Sequence, residues 1–187
     1  SVDDTFVFDT DSALGTDTVT GNGGTDILDF SGTSAAFNVT VDLATIAAAQ
    51  AVNANLNLVL TAEDIKGATG GAGNDALTGN SLDNILIGGP GNDTLTGRAG
   101  SETYSYDIDS PWGNDTIVEN SADAGHDIID FSATTTQTIT LNLLLSTQQT
   151  VNPSLNLKLT LTGGGIDEVI GGSLNDVLNG DGNDNTL

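Results

Sequence analysis

The chain has 187 residues and carries 26 acidic side chains against three basic ones, which gives a formal charge of −23 at neutral pH. Three scattered cations cannot form the positive patch that nucleic acid or an anionic membrane surface requires, so neither is expected as a partner. The sequence has no cysteine for disulfides or thiolate metal sites, and no apolar run long enough to insert into a membrane. The acids therefore indicate metal ions, a solvated surface or a disordered region, and their placement must decide.

Two nine-residue segments near the start follow one template, SALGTDTVT at 12–20 and GNGGTDILD at 21–29. Residues 37–43 and 56–60 then alternate apolar and polar side chains, which predicts β-strands without a metal-binding turn. The stretch 44–51 between these strands is predicted to be a loop rather than a short helix. Its counterpart later in the chain, LLSTQQT at 144–150, has little helical character.

Four consecutive nonapeptides follow, and they read GGAGNDALT, GNSLDNILI, GGPGNDTLT and GRAGSETYS over residues 70–105. Each begins with glycine, has an acid or amide sixth, and has Leu or Tyr eighth; GGSLNDVLN and the unfinished GDGNDNTL repeat the template at 171–187. Ordinary Gly/Asn/Asp turns would not keep this register. Six small or polar residues make a turn and three make a strand whose middle side chain points inward. We therefore expect one buried ladder of Leu77, Leu86, Leu95 and Tyr104.

This template resembles the RTX (repeats-in-toxin, hemolysin-type) nonapeptide G-G-x-G-x-D-x-U-x, where U is a large aliphatic residue. The resemblance implies an all-β fold, a right-handed parallel β-roll or β-solenoid with several calcium ions between stacked turns. It also implies bacterial type I secretion and folding outside the cell. In that family two nonapeptides complete one coil, so turns on the same side recur at every second nonapeptide.

This coil length sorts the acids into rows. Asp75 and Asp93 lie one coil apart and are predicted to share an ion, while Asp115 continues their row after a four-residue insertion. The opposite row is predicted to hold Asp83 with Asn84, then Glu102, then Asp127, and the segment inserted after Ser121 interrupts it. Near the start, Asp4 and Asp26 are expected to share a side, with Asp17 on the opposite one.

The other predicted metal ligands are two late acids and the glycines of the best-matching turns. Glycine permits positive φ and lets a backbone carbonyl approach an ion without a β-carbon in the way. Calcium takes six to eight oxygen ligands, which suits a cage of carbonyls and carboxylates. These residues are Asp176, Asp184, Gly70, Gly71, Gly73, Gly88, Gly89 and Gly91.

A longer repeat lies over the nonapeptides. TFVFDTDSALGTDTV at 5–19 recurs as TYSYDIDSPWGNDTI at 103–117, and the segments 25–31, 39–43, 52–60 and 70–84 all return in the same order. We therefore predict two tandem units of about 100 residues, 1–102 and 103–187. Both ends stop within a nonapeptide and methionine is absent, so we expect a segment of a longer array with neighbouring copies end to end.

No catalytic set is recognisable, and no enzyme activity is predicted. Asp9 with Asp11 lacks the glycine and glutamate of an EF-hand loop, and His126 is the single histidine. The sequence favours a calcium-dependent structural or adhesive repeat of a secreted or cell-surface bacterial protein. Trp112 with Tyr104 and Tyr106 would form its glycan contact, against the alternative of local packing. Two alternatives stay open: a folding and secretion module of an exported enzyme, and a carbohydrate- or ice-binding solenoid with a Thr/Asn face.

Overall fold

The computed structural model describes residues 2–120, 122, 125–154 and 157–187. Within these ranges the chain consists of short strands and turns without a helix, so none of the described residues forms a membrane-spanning helix. The strands are β1 (Thr5–Val7), β2 (Gly15–Val19), β3 (Asp26–Asp29), β4 (Thr40–Asp42), β5 (Ala49–Ala51), β6 (Leu56–Leu60), β7 (Ile65–Thr69), β8 (Ala76–Thr78), β9 (Ile85–Ile87), β10 (Thr94–Thr96), β11 (Thr103–Ser105), β12 (Asn114–Val118), β13 (Asp127–Asp130), β14 (Thr140–Asn142), β15 (Gln149–Asn152), β16 (Leu157–Thr162), β17 (Ile166–Ile170) and β18 (Val177–Asn179).

One face of the molecule is a parallel sheet of seven strands in the order β1-β3-β7-β9-β11-β13-β17. In its centre Gly67 pairs with Ile85 and Ile85 pairs with Thr103, so neighbouring strands are separated by two nonapeptides. Two nonapeptides therefore complete one coil, and the predicted parallel all-β solenoid is confirmed.

The opposite face holds the other strand of each coil, and β8, β10 and β12 form its parallel centre. Ala76 pairs with Thr94, which lies two nonapeptides later, whereas Thr94 pairs with Thr116 after a longer coil. The extra residues of this longer coil lie in the turn before β12, so the pairing register between β10 and β12 is unchanged. This agrees with the insertion predicted there.

The prediction of a loop at 44–51 is partly wrong, because Ala49–Ala51 forms β5 and pairs antiparallel with β6. β15 pairs with β16 in the same way in the second half of the chain. The backbone groups on the free edge of β6 need hydrogen-bond partners, and a hairpin provides them locally without any hydrophobic pattern. Of the other predicted strands, 56–60 is confirmed as β6, while 37–43 contains only the shorter β4.

The interior is a continuous apolar stack between the two faces. The predicted ladder of Leu77, Leu86, Leu95 and Tyr104 is fully buried, with 0% exposure for each side chain. Full burial of one such side chain contributes about 1.5–3 kcal/mol. The sheet runs through residues 102 and 103 without a break, since β11 pairs with both β9 and β13. The division into units at that point stays a prediction.

Arg98 stands at the second place of its nonapeptide, where the template has glycine, and its φ is 84°. This left-handed conformation is costly for a residue with a β-carbon. The guanidinium makes two contacts of 2.7 and 2.8 Å with the carboxylate of Asp42 and donates a hydrogen bond to the Gly79 carbonyl at 3.0 Å. The side chain thus ties its turn to β4.

Replacing Arg98 should separate these two effects. We expect Arg98→Ala to destabilise the calcium-loaded chain by about 1 kcal/mol, because the half-exposed ion pair is lost while the unfavourable φ remains. Arg98→Gly should be nearer to neutral, since glycine relieves the strain. Urea unfolding at saturating calcium measures both variants, and a larger loss for glycine than for alanine would contradict this explanation.

Candidate metal centres

The sixth place of each repeat on the β8 face, at or just before the start of its strand, holds an acid whose side chain lies in the interior. Asp75, Asp93 and Asp115 are at most 2% exposed. The Asp75 backbone N–H donates to Asp93 Oδ1 at 2.8 Å, and the Asp93 N–H donates to Asp115 Oδ1 at 3.0 Å. The three acids therefore stack in one row in the predicted order. We name them the first row.

Backbone carbonyls of the turns converge on the same space. Gly89 and Gly91 have φ values of 91° and 150°, and a β-carbon on either residue would collide with the carbonyl oxygen of Gly71 or Gly73 in the preceding turn. Gly70 and Gly88 stand at the first place of two of these turns. A β-carbon on Gly70 would meet the carboxylate of Asp75, and one on Gly88 would meet that of Asp93. These four glycines thus keep open a space lined by oxygen atoms. The positive φ expected of the predicted glycines is found at Gly89 and Gly91 and is wrong for Gly70, Gly71, Gly73 and Gly88.

The electrostatics of the first row are unfavourable without a cation. Burial, together with the charges of Asp115 and Asp75, raises the pKa of Asp93 to about 8, and the hydrogen bond from the Asp75 backbone N–H opposes this rise. Burial likewise raises the pKa of Asp115 to about 7 and lifts that of Asp75. The Oδ2 atoms of Asp93 and Asp115 are buried without a hydrogen-bond partner among the described residues. A bound cation would supply the missing partner for both oxygens.

The opposite row consists of Asn84, Glu102 and Asp127. The Thr103 N–H donates to the Asn84 carbonyl at 2.8 Å, and the Glu102 N–H donates to Asp127 Oδ1 at 2.9 Å. Asp83 does not join these buried side chains. It is exposed at the fifth place of its turn, where its Oδ1 accepts a hydrogen bond from the Ser101 N–H at 2.9 Å. The insertion after Ser121 that interrupts this row lies partly outside the described residues.

Glu119 was missed by the sequence analysis. Carboxylate oxygens of Glu102, Glu119 and Asp127 lie within 4.8 Å of one another, and all three residues are buried. The Tyr104 hydroxyl donates a hydrogen bond to Glu119 Oε1. Glu119 stands at the first place of a repeat, where the template has glycine. An acid at this place was the sequence signal from which Glu119 could have been found. We call these three acids the glutamate cluster.

The first half of the chain has a related group of acids. The Asp4 N–H donates to Asp26 Oδ1 at 2.8 Å, which places the two acids on one side as predicted. Asp26 is fully buried, and its Oδ2 and Asp64 Oδ1 have no hydrogen-bond partner within the described ranges. Gly21 separates them, since a β-carbon there would lie 3.1 Å from Asp64 Cγ. Asp64 was also missed, because it lies in a segment without the nonapeptide template.

Each half of the chain adds a third carboxylate to its group of acids, Asp64 in the first half and Glu119 in the second, and the two come from different positions of the repeat. Gly21 corresponds to Glu119 in the duplication, and the strand register makes Asp64 equivalent to Gly165. Each half thus has one glycine and one acid at these two positions, with the order exchanged. Glu119 and Gly165 line the same small cavity. Such an exchange keeps the local charge constant.

The remaining predicted acids differ in their surroundings. Asp176 repeats the geometry of Asp75, because its Oδ1 and Oδ2 accept hydrogen bonds from the Ile139 and Gly172 N–H groups at 2.8 and 2.7 Å. Asp184 is exposed at the fifth place of its turn, and Asn185 occupies the inward sixth place. Asp17 lies within β2 beside Leu58, as Asp115 lies within β12 beside Leu159, but its side chain is only partly buried.

Comparison with known protein families agrees with this geometry. The family model described as the RTX calcium-binding nonapeptide repeat matches four copies, at residues 14–32, 69–104 and 161–187. A search of curated proteins found no match. The chain contains RTX calcium-binding nonapeptide repeats, and the nonapeptides of that family bind calcium ions between their turns. This repeat is a structural element rather than a catalytic one.

The side chains and carbonyls of this chain fit calcium. All donors in the two rows are oxygen atoms, as hard divalent cations prefer, and the described residues place no imidazole in either row. His126 is exposed and contacts Glu168 at 2.9 Å instead. Asp75, Asp93 and Asp115 with the turn carbonyls would hold ions on one side. Glu102 and Asp127 would do so on the other.

Glu119→Gln tests the glutamate cluster. The amide keeps the shape of the side chain but removes one of three buried charges, so we expect one calcium ion to bind at least about tenfold more weakly. Glu63→Gln is the matched control, because Glu63 is exposed and accepts a hydrogen bond from the Ser81 N–H. Isothermal titration with calcium measures both variants, and equal affinities in Glu119→Gln and the parent chain would exclude Glu119 from the site.

Proposed function

We propose that this chain is a calcium-dependent structural and adhesive module of a secreted or cell-surface bacterial protein, and that it has no enzyme activity of its own. The observation that carries the proposal is the row of stacked, buried carboxylates at Asp75, Asp93 and Asp115. Neighbouring buried carboxylates repel one another, so the fold depends on a cation that neutralises them. Extracellular calcium is abundant enough to fill sites that bind at about 0.1–1 mM.

A role in connecting copies of the repeat is supported by the duplicated strand pairing. β2 pairs with β6 as β12 pairs with β16, and β3 pairs with β7 as β13 pairs with β17. β18, on the last described coil, pairs with β14 on one edge and with none of the described strands on the other. A following copy that continued the stack would pair with this second edge. We infer that neighbouring units, with the division near residue 102, associate end to end.

Limited proteolysis tests the calcium-dependent role. Chymotrypsin should digest the chain rapidly at about 0.1 µM free calcium, which is typical inside cells, and slowly at about 1 mM. Magnesium at the same concentration should not protect, because it keeps its water ligands and fits such cages poorly. Equal digestion at both calcium concentrations would contradict the proposal. The alternative of a secretion module attached to an exported enzyme predicts the same protection but a catalytic domain elsewhere in the parent protein.

A polar binding face is the second candidate function, and the β8 face gives it a specific basis. Its outward side chains form two parallel ranks, with neighbouring strands about 4.8 Å apart. The ranks are Thr40, Ala76, Thr94, Thr116 and Thr160, and beside them Asp42, Thr78, Thr96, Val118 and Thr162. A flat array of hydroxyl and methyl groups suits ice or a carbohydrate.

Thermal hysteresis and glycan retention of the calcium-loaded chain test this second candidate. A signal that is lost in Thr94→Tyr, at the centre of the first rank, would favour the binding face over the structural role. Thr18→Tyr is the matched control, because Thr18 is exposed on β2 and outside the two ranks. Absence of both signals in the folded chain would set this candidate aside.

A further inference from the structure

Tyr106 occupies a special place in the solenoid. Tyr104 pairs with Leu86, so Tyr106, two residues further on, stands where Gly88 stands one coil earlier. A β-carbon built on Gly88 would lie 3.0 Å from Asp93 Cγ. A side chain at this first place therefore projects towards the sixth-place acid of its own turn. For Tyr106 that acid is Asp115.

The Tyr106 hydroxyl is buried and has no hydrogen-bond partner among the described residues, although the residue is 0% exposed. The ring is held by Phe131 and Trp112, with centroids 5.4 and 4.9 Å away. Burial, and then the charges of Asp115 and Asp93, raise the pKa of Tyr106 well above its usual value, so both carboxylates act on the hydroxyl. Leaving such a group unpaired costs about 1–3 kcal/mol.

The duplication provides an internal comparison. Phe8 is the counterpart of Tyr106, and it stacks on Phe30 at 5.3 Å much as Tyr106 stacks on Phe131. Packing therefore needs only the aromatic ring. The acid that Phe8 would face is Asp17, which pairs with Leu58 as Asp115 pairs with Leu159. The hydroxyl of Tyr106 is therefore not required for packing the ring.

Resting on the calcium binding proposed above, we propose that the Tyr106 hydroxyl is an oxygen ligand of the cation held between Asp93 and Asp115. Three buried oxygens that lack a hydrogen-bond partner within the described part of the chain, Tyr106 Oη, Asp93 Oδ2 and Asp115 Oδ2, then gain one common partner. Calcium accepts neutral oxygen ligands beside carboxylates. This site thereby differs from the one between Asp75 and Asp93, where glycine occupies the first place of the turn.

Tyr106→Phe tests the ligand, since it removes only the hydroxyl and installs the residue of the first half. Isothermal titration and native mass spectrometry should show one calcium ion bound about tenfold or more weakly, with the other ions and the β-signal at saturating calcium unchanged. In an Asp115→Asn background the same change should alter affinity by less than about twofold, because both side chains act on one ion.

Three other outcomes would count against the assignment. Unchanged number and affinity of ions in Tyr106→Phe would remove Tyr106 from the site while leaving calcium binding intact. Additive losses in the double variant would show that the hydroxyl acts elsewhere. Loss of all ions together with the β-signal would show a packing role. If the parent chain itself bound no calcium, the proposed function would fail first, and this result is distinguishable from the other three.

Discussion

Replacing Asp93 by asparagine is expected to weaken two calcium ions at once, each by at least about tenfold, or about 1.4 kcal/mol per ion. Asp93 lies between Asp75 and Asp115. Its carboxylate therefore borders the space between Asp75 and Asp93 and also the space between Asp93 and Asp115. Asparagine keeps the Oδ1 acceptor for the Asp75 N–H but loses the charge and the second carboxylate oxygen. Calorimetric titration measures the number of weakened ions, and the calcium midpoint of folding should rise accordingly.

Asp83→Asn is the matched control for this prediction. Asp83 is an exposed acid at the fifth place of a neighbouring turn, so its replacement removes the same charge from the surface. We expect its calcium midpoint to stay within about twofold of the parent value, because an exposed charge is screened by solvent and salt. Equal shifts in the two variants would mean that net charge, rather than the buried row, governs calcium binding.

In a calcium chelator, the chain is expected to be most stable in acid and to lose structure as pH rises from about 4 to 8. The raised pKa values of Asp93, about 8, and Asp115, about 7, lie above the value of about 3.9 in an unfolded chain. Below about pH 4 both carboxyls are protonated in either state, so their contribution to stability is fully present. Between these values the unfolded chain releases its protons first, and the free energy of unfolding falls.

Circular dichroism across this pH range measures the effect, and Asp93→Asn is the control. General repulsion among the 26 acidic residues also grows with pH, but it acts on both proteins, whereas the Asp93 contribution is absent from the variant. The parent chain should therefore show the steeper pH dependence. Calcium should reverse the trend, since protons compete with it for the same oxygens. A chelated chain that gained β-structure from pH 5 to 8 would contradict this prediction.

The inward ladder could be predicted from the nonapeptide spacing, and the coil length and the stacking order of the first row from the resemblance to the RTX family. The nonapeptide has a fixed inward place at position eight and a fixed turn place at position six, so local spacing determines which residues meet. Leu77 and Leu95 lie at paired positions for this reason, as do Asp75 and Asp93. The role of these acids as calcium ligands stays a prediction that the variants above test.

Other features depend on contacts that the nine-residue spacing does not encode. Asp64 approaches Asp26 only because β3 and β7 pair with each other, although a long stretch of chain with β4, β5 and β6 lies between them. Glu119 and Tyr106 stand at first places, where the template expects glycine, so the template predicts no side chain there beside the sixth-place acids. The β5 hairpin forms because an adjacent strand edge needs partners. In each case tertiary stacking, rather than local pattern, brings the groups together.

The most direct test of calcium-driven folding is a titration of the chain with calcium, followed by far-UV circular dichroism, with magnesium as the control and ion counting on the folded form. We predict a largely unstructured chain in chelator and a cooperative gain of β-signal near about 0.1–1 mM calcium, with several ions bound and little response to magnesium. A chain that is already fully folded in chelator at neutral pH, or that binds no calcium, would contradict the account.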